Sequence, residues 1–137
     1  MICSFRGKHF FLSNFYTAPV YYNGLTYQNN EAAFQAQKTL DEKKRREFMN
    51  LQPEQAKRLG RQSKLRPDWE NAKENIMYEI CKAKFTQNAD LAKELIATCS
   101  ENLQEGNTWG DREWGTVNGV GENKLGKILM RIRGELN

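Results

Sequence analysis

The sequence predicts a mostly helical α+β fold: a single compact helical domain over residues 1–137 with a small antiparallel β element near the N-terminus. Three observations predict it. Apolar residues beyond position 30 recur at steps of three and four, the spacing of one helix face. Asn23-Gly24 separates two short β-prone runs, Val20–Tyr22 and Leu25–Tyr27. Asn-Gly suits the positive-φ positions of a type I′ hairpin turn. Finally, 39% of residues are hydrophobic and 11% aromatic, with no repeat, low-complexity tract or Pro/Gly/Ser-rich linker. A chain of this length buries a core large enough to fold without staples.

The helices follow in order. Asn30 is expected to cap a helix beginning at Glu31, and Asp41 a second, highly charged one. Pro53 suits a first helical position, opening a short helix that ends near Gly60. Asp68 is expected to cap the longest helix, with Trp69, Ala72, Ile76, Ile80 and Ala83 on its apolar stripe. Asn88 is expected to cap another, through Leu91, Leu95 and Ile96. Residues 100–121 hold five glycines and two tryptophans and read as loop or short strands. The last helix carries Leu125, Ile128, Leu129, Ile132 and Leu136 on one face, with Lys124, Lys127, Arg131 and Arg133 solvating it.

The net charge of +4 is unevenly placed: residues 1–86 hold 15 Lys/Arg against 9 Asp/Glu, and residues 87–137 hold 6 against 8. The densest cationic stretch is Lys57, Arg58, Arg61, Lys64 and Arg66, with no acid inside it. It reads either as a site for a few phosphates or as a solvated helix face. Cys3, Cys81 and Cys99 are odd in number and widely spaced, and His9 is the one histidine. That pattern argues against a disulfide framework and against a zinc site, so no metal is expected. With no apolar signal stretch and no long apolar run, a cytoplasmic, membrane-free location is expected.

Three segments could carry chemistry. In Glu31-Ala-Ala-Phe-Gln-Ala-Gln-Lys38, residues Glu31, Phe34, Gln35 and Lys38 fall at i, i+3, i+4 and i+7 on one helix face. A Glu and a Lys there suit acid/base and nucleophilic roles. The plainer reading is a first-turn Glu favoured by the helix dipole plus an exposed lysine. In Trp109-Gly-Asp111-Arg-Glu-Trp114-Gly115, the tryptophans either stack on a flat base or anchor the loop in the core. In Ser13-Asn14-Phe15-Tyr16, Asn14 offers a donor and an acceptor and Phe15 a ring face, for a ligand or for the core. Gly119-x-Gly121 fits neither phosphate-loop pattern, but it precedes a helix whose N-terminus is a place for an anion. These features fit a small enzyme handling a nucleotide-like ligand, a nucleotide reader without chemistry, or a basic nucleic-acid-binding domain.

Taken together, the segments resemble the NADAR family, which includes riboflavin-intermediate N-glycosidases. The matching stretches are Phe11–Tyr16, Tyr27 with Glu31–Lys38, Ala56–Arg61, Arg66–Trp69, Ile76–Tyr78, Lys84-Phe85, Leu103–Gly115 and Gly121–Gly126, in order along the chain. The resemblance implies hydrolysis of an N-glycosidic bond at a ribose anomeric carbon without cofactor. Implied substrates are ribosylated pyrimidine phosphate intermediates of riboflavin synthesis and ADP-ribose on guanine, in DNA or RNA among them. It implies that Lys38 forms a Schiff base with opened ribose, that Glu31 assists proton transfer, and that Asp111 positions ribose hydroxyls. It also implies Asn14, Phe15, Trp69, Trp109 and Trp114 as pocket walls. Arg61 is the candidate phosphate ligand, because guanidinium pairs bidentately with phosphate. One departure is Asn29-Asn30 before Glu31, where relatives often carry small hydroxyl or β-branched residues; it bears on the helix cap and the substrate.

Overall fold

The computed structural model describes residues 1–137. About half of the chain is helical, and the one sheet has two antiparallel strands, as the sequence predicts. The chain falls into two compact units: Asn14–Asn88, and Met1–Ser13 together with Ala89–Asn137.

The unit Asn14–Asn88 holds β1 (Thr17–Tyr22), β2 (Leu25–Asn29), α1 (Asn30–Ala36), α2 (Glu42–Arg46), α3 (Pro53–Gln62) and α4 (Trp69–Gln87). Asn23 and Gly24 turn the hairpin with φ of 51° and 87°, the positive pair that matches the twist of the strands. Val20 pairs with Tyr27, and both are fully buried. The register is irregular between Thr17 and Val20, where Pro19 lies; a residue without an N–H suits a bulge.

β2 runs into α1 without a connecting loop, and this moves the expected cap by one residue. Asn29, not Asn30, is the N-cap: its side chain accepts from the Ala32 N–H at 2.8 Å, and its amide donates to the Leu51 carbonyl at 3.0 Å. Asn30 is buried inside the first turn, with its amide on Asn14 Oδ1 at 3.2 Å. Every residue of α1 is buried. Such a helix is enclosed by its neighbours rather than lying on one face, here β2, α3 and α4.

Asp41 caps α2 through the Lys43 N–H at 2.9 Å, and Pro53 opens α3, as expected. α3 continues past Gly60 to Gln62, and Gly60 is instead where α3 meets α1. A Cβ at Gly60 would sit 1.9 Å from Gln35 Oε1, so glycine permits the approach. Asp68 holds the N-cap position of α4 but caps no amide, because its carboxylate takes the Arg66 guanidinium at 2.6 and 2.9 Å. The buried face of α4 includes Trp69, Ile76 and Ile80 as expected, but it runs on through Met77, Cys81, Lys84 and Phe85. Ala72 and Ala83 are only half-buried. The Asn88 amide closes the end of α4 on the Lys84 carbonyl and also reaches that of Pro19.

The unit of Met1–Ser13 and Ala89–Asn137 contains α5 (Ala89–Ala97), α6 (Lys124–Leu136) and a 3₁₀ turn over Gly7–Leu12. The N-terminal segment lies parallel to the loop after α5 through Ile2 and Leu103, with the terminal amine on Glu101. α6 buries Leu125, Ile128, Leu129 and Ile132, and leaves Leu136 half-buried. The expectation that Arg133 solvates α6 is overturned. Arg133 is buried and donates to Thr98 Oγ1 at 2.9 Å and to the Glu101 carbonyl at 2.8 Å. A guanidinium tolerates this because its planar fork satisfies several acceptors at once. No helix is long and apolar enough to cross a membrane.

Candidate active site

In the unit Asn14–Asn88, the chemistry gathers at the two ends of α1. At its start, the Glu31 N–H donates to the Asn14 carbonyl at 3.0 Å. The Glu31 carboxylate accepts from Gln35 Nε2 at 3.1 Å and is buried. Gln35 Oε1, facing Gly60, is buried with no hydrogen-bond partner. At its end, α1 stops at Ala36, and Lys38 sits in the turn that follows, its N–H on the Gln35 carbonyl at 3.2 Å. The Arg66 N–H donates to the Lys38 carbonyl at 2.8 Å, so the segment after α3 anchors the lysine backbone.

Lys38 is half-buried, which sets aside the plain reading of an exposed lysine. Burial lowers its pKa below the ordinary lysine value because the ammonium loses water. Glu31 opposes that shift, while Arg61 on α3 and Lys73 on α4 add to it. The environment therefore favours the free amine more than water does.

Aromatic groups flank this face. Trp69 is buried, its ring 5.1 Å from that of Phe34. Phe15 is half-buried with the Lys57 ammonium 5.8 Å from its ring centre. Asn14 is engaged at both ends of its amide, accepting from Asn30 and donating to Met77 Sδ at 3.5 Å, so it steadies the start of α1. The cationic stretch is not uniform. Arg66 is committed to Asp68 and Lys57 lies on Phe15, while Arg58, Arg61 and Lys64 are exposed.

The tryptophan loop belongs to the other unit. Asp111 is the centre of its hydrogen bonding: Oδ1 accepts from the N–H groups of Glu113 and Trp114 at 3.0 and 2.9 Å. Asn107 brackets Asp111, accepting from its N–H at 3.0 Å and donating to its carbonyl at 2.8 Å. Trp114 is half-buried against the Lys124 ammonium at 5.8 Å, and Lys124 pairs with Glu113 at 2.9 Å rather than only solvating α6. Trp109 is not a core anchor: it is 56% exposed, with the Arg6 guanidinium 5.8 Å above its ring.

The expected anion position at the start of α6 is overturned. The N–H groups of Glu122, Asn123, Lys124 and Leu125 donate to the carbonyls of Arg112, Gly115, Glu113 and Trp114. The donors that would hold an anion already fix the loop.

Gln35, which spacing places on the face of Glu31, holds that carboxylate. Two residues were missed from the sequence. Lys73 stands at i+4 from Trp69 and could have been found by spacing. Lys84 could not. It is 1% exposed, 5.1 and 5.5 Å from the rings of Phe85 and Tyr16, and burial holds its pKa down at about 8. Sequence does not distinguish it from the other lysines of α4.

The fold and these residues define a class. The NADAR domain model matches residues 4–137, across both units, and the chain belongs to that family. Among relatives, the chain is similar to the N-glycosidase YbiA of Escherichia coli, 44% identical over 128 residues that cover 90% of this chain and 79% of that protein. It is 37% identical over 133 residues to a riboflavin biosynthesis protein of Vibrio vulnificus, covering 94% of this chain and 36% of the longer protein. The NMR structure of the E. coli protein YbiA matches with a TM-score of 0.84 at 40% identity, covering 97% of this chain and 81% of that one.

Proposed function

We propose that this protein is an N-glycosidase that hydrolyses the bond between ribose C1 and a base nitrogen, with Lys38 and Glu31 at its centre and both units serving one functional domain. The observation that carries the reading is the half-buried Lys38, its pKa lowered, in the field of Glu31, Arg61 and Lys73. The names of the E. coli and Vibrio relatives support the bond class and a nucleotide-like substrate. Two substrates fit: ribosylaminopyrimidine phosphate and ADP-ribosylated guanine in nucleic acid. The three free thiols accord with a reducing, cytoplasmic setting.

In this reading Glu31 delivers a proton as the C1–N bond breaks, so the base leaves neutral. The free amine of Lys38 bonds to C1 in the same step, displacing the base and returning a proton to Glu31; the bond from C1 to the ring oxygen then opens, the oxygen takes that proton, and the Lys38 imine of opened ribose is left. Water adds to C1 and Lys38 Nζ departs, so that one water is consumed overall. Arg61 takes a phosphate of the substrate. Phe15 and Trp69 form aromatic walls, and Asn14 acts through its hold on α1. In the other unit, Asp111 turns the tryptophan loop with Oδ1. No metal or organic cofactor enters the scheme.

The test is incubation with each substrate, with and without borohydride. The expected result is base release by one of them and a reduced adduct on Lys38, with Lys38→Ala inactive. Glu31→Gln should lose at least about a hundredfold in kcat. Binding without turnover, unaffected by Lys38→Ala, would instead identify a non-catalytic reader of nucleotide or ADP-ribose.

A further inference from the structure

One residue, Gln37, separates the end of α1 from Lys38, and its bonding decides where the lysine stands. In an uninterrupted α-helix the Gln37 N–H would donate to the Ala33 carbonyl, four residues back. Here the side chain takes that acceptor: Gln37 Nε2 donates to the Ala33 carbonyl at 3.1 Å, and the Gln37 N–H tightens onto Phe34, three residues back, at 3.1 Å. The Lys38 N–H follows the same pattern onto Gln35. This 3₁₀-type turn ends α1 at Ala36 and takes Lys38 off the helix. An N–H returned to Ala33 would instead carry the helix on towards the lysine.

The Gln37 amide is itself fixed from outside α1. It is fully buried, Oε1 accepts from Asn23 Nδ2 at 3.3 Å, and Nε2 also reaches Tyr27 OH at 3.5 Å. Both partners belong to the hairpin. Tyr27 is fully buried in β2, whereas Asn23 is exposed at the turn, with φ of 51°. A buried amide bonded at both ends is held in one orientation. On the other side of the lysine, the Thr39 carbonyl accepts from Arg45 Nε at 2.9 Å. The backbone of Lys38 is therefore strung between neighbours anchored to β2, to the hairpin turn and to α2.

We propose that Gln37 is a positioning residue for Lys38, and that Asn23 at the hairpin turn acts on the same lysine through it. The inference rests on Lys38 as the reacting amine. Gln37 is enclosed and acts through the place of the lysine rather than by contact with substrate, so its loss is read in kcat and not in KM.

Two variants test this. Gln37→Met keeps the length of the side chain and removes the amide. Asn23→Gly removes the donor to Gln37 and keeps a residue suited to positive φ. Each is compared with the wild type by kcat and KM on whichever of the two substrates the wild type cleaves. Each is also compared by acetic anhydride labelling of Lys38 against pH, followed by peptide mass spectrometry, which needs no turnover. The expected kcat falls at least about tenfold in Gln37→Met and by less in Asn23→Gly, with KM within about twofold of wild type. Labelling of Lys38 should begin at higher pH in both, because burial lowers the lysine's pKa and displacement returns the ammonium to water. If Gln37→Met does not fold, Asn23→Gly decides, since its change lies on the surface. A wild type that cleaves neither substrate overturns the glycosidase reading, and the labelling then decides the positioning role alone. Labelling of Lys38 that keeps the wild-type pH dependence in a folded variant overturns the proposal. So does an unchanged kcat in folded variants of an active enzyme.

Discussion

Lys38 sits in a field of three charged neighbours, and each makes its own prediction. An amine attacks only as the free base, so a lowered pKa enlarges the reactive fraction near neutrality. Arg61 pushes the Lys38 pKa down. Arg61→Leu should therefore raise it and move the rising limb of adduct formation to higher pH. Glu31 pulls it up, so Glu31→Gln should move the same limb to lower pH while slowing base release. Borohydride-trapped adduct measured against pH in single turnovers reads both shifts; a common direction for the two variants would refute the assignment. The sequence showed Glu31 and Lys38 on one helical stripe. It did not show that the helix ends at Ala36, or that an N–H from Arg66 fixes the lysine backbone. Those depend on a segment 28 positions further along the chain.

Among the elements, α1 governs the candidate site, because Glu31 stands in its first turn and Lys38 just past its end. Asn29 makes two bonds, capping Ala32 and holding Leu51. Asn29→Ala should cost about 1–2 kcal/mol, seen as a lower urea midpoint with an unchanged slope. Gly60 is the contact of α3 with α1. Gly60→Ala should cost about 1–3 kcal/mol through overpacking and should also lower kcat, because the atom displaced belongs to Gln35, the residue that holds Glu31. A normal melting temperature and normal kcat would show that α3 yields without disturbing α1. The hairpin was legible because Asn23-Gly24 is a local code for a local turn. The cap was misread by one residue because two asparagines compete, and the strand that ends at Asn29 decides between them.

For the molecule as a whole, pH dependence rests on a buried pair in α4. Burial holds Lys84 down at about 8 and Cys81 up at about 12. An unfolded lysine titrates near about 10.4, so between about pH 8 and that value the unfolded state binds the extra proton. Stability from Lys84 therefore rises with pH in that window, by at most about 1.4 kcal/mol per unit, and is absent below it. Cys81 acts in the opposite sense. An unfolded thiol ionises from about 8.5, so its contribution falls as pH rises from there. The two slopes offset each other in the wild type. Lys84→Met should lose stability relative to the wild type as pH is raised from about 8 to about 10, at roughly 1.4 kcal/mol per unit. Urea denaturation at four pH values reads this directly, and a difference independent of pH would contradict it.

The sequence by itself determined the helical class, the hairpin turn, the stripe of α6 and, through its ordered segments, the family. These are carried by local spacing and by residue identity, and both survive without a fold. Only the tertiary structure decided the charge states and the commitments of polar groups. It buries Arg133 on Thr98 and Glu101, closes the start of α6 with loop carbonyls, draws Arg66 to Asp68, and leaves Trp109 in the open beneath Arg6. The physical reason is that solvation and Coulomb interactions depend on distance in space, which chain spacing encodes only within a turn or two of helix.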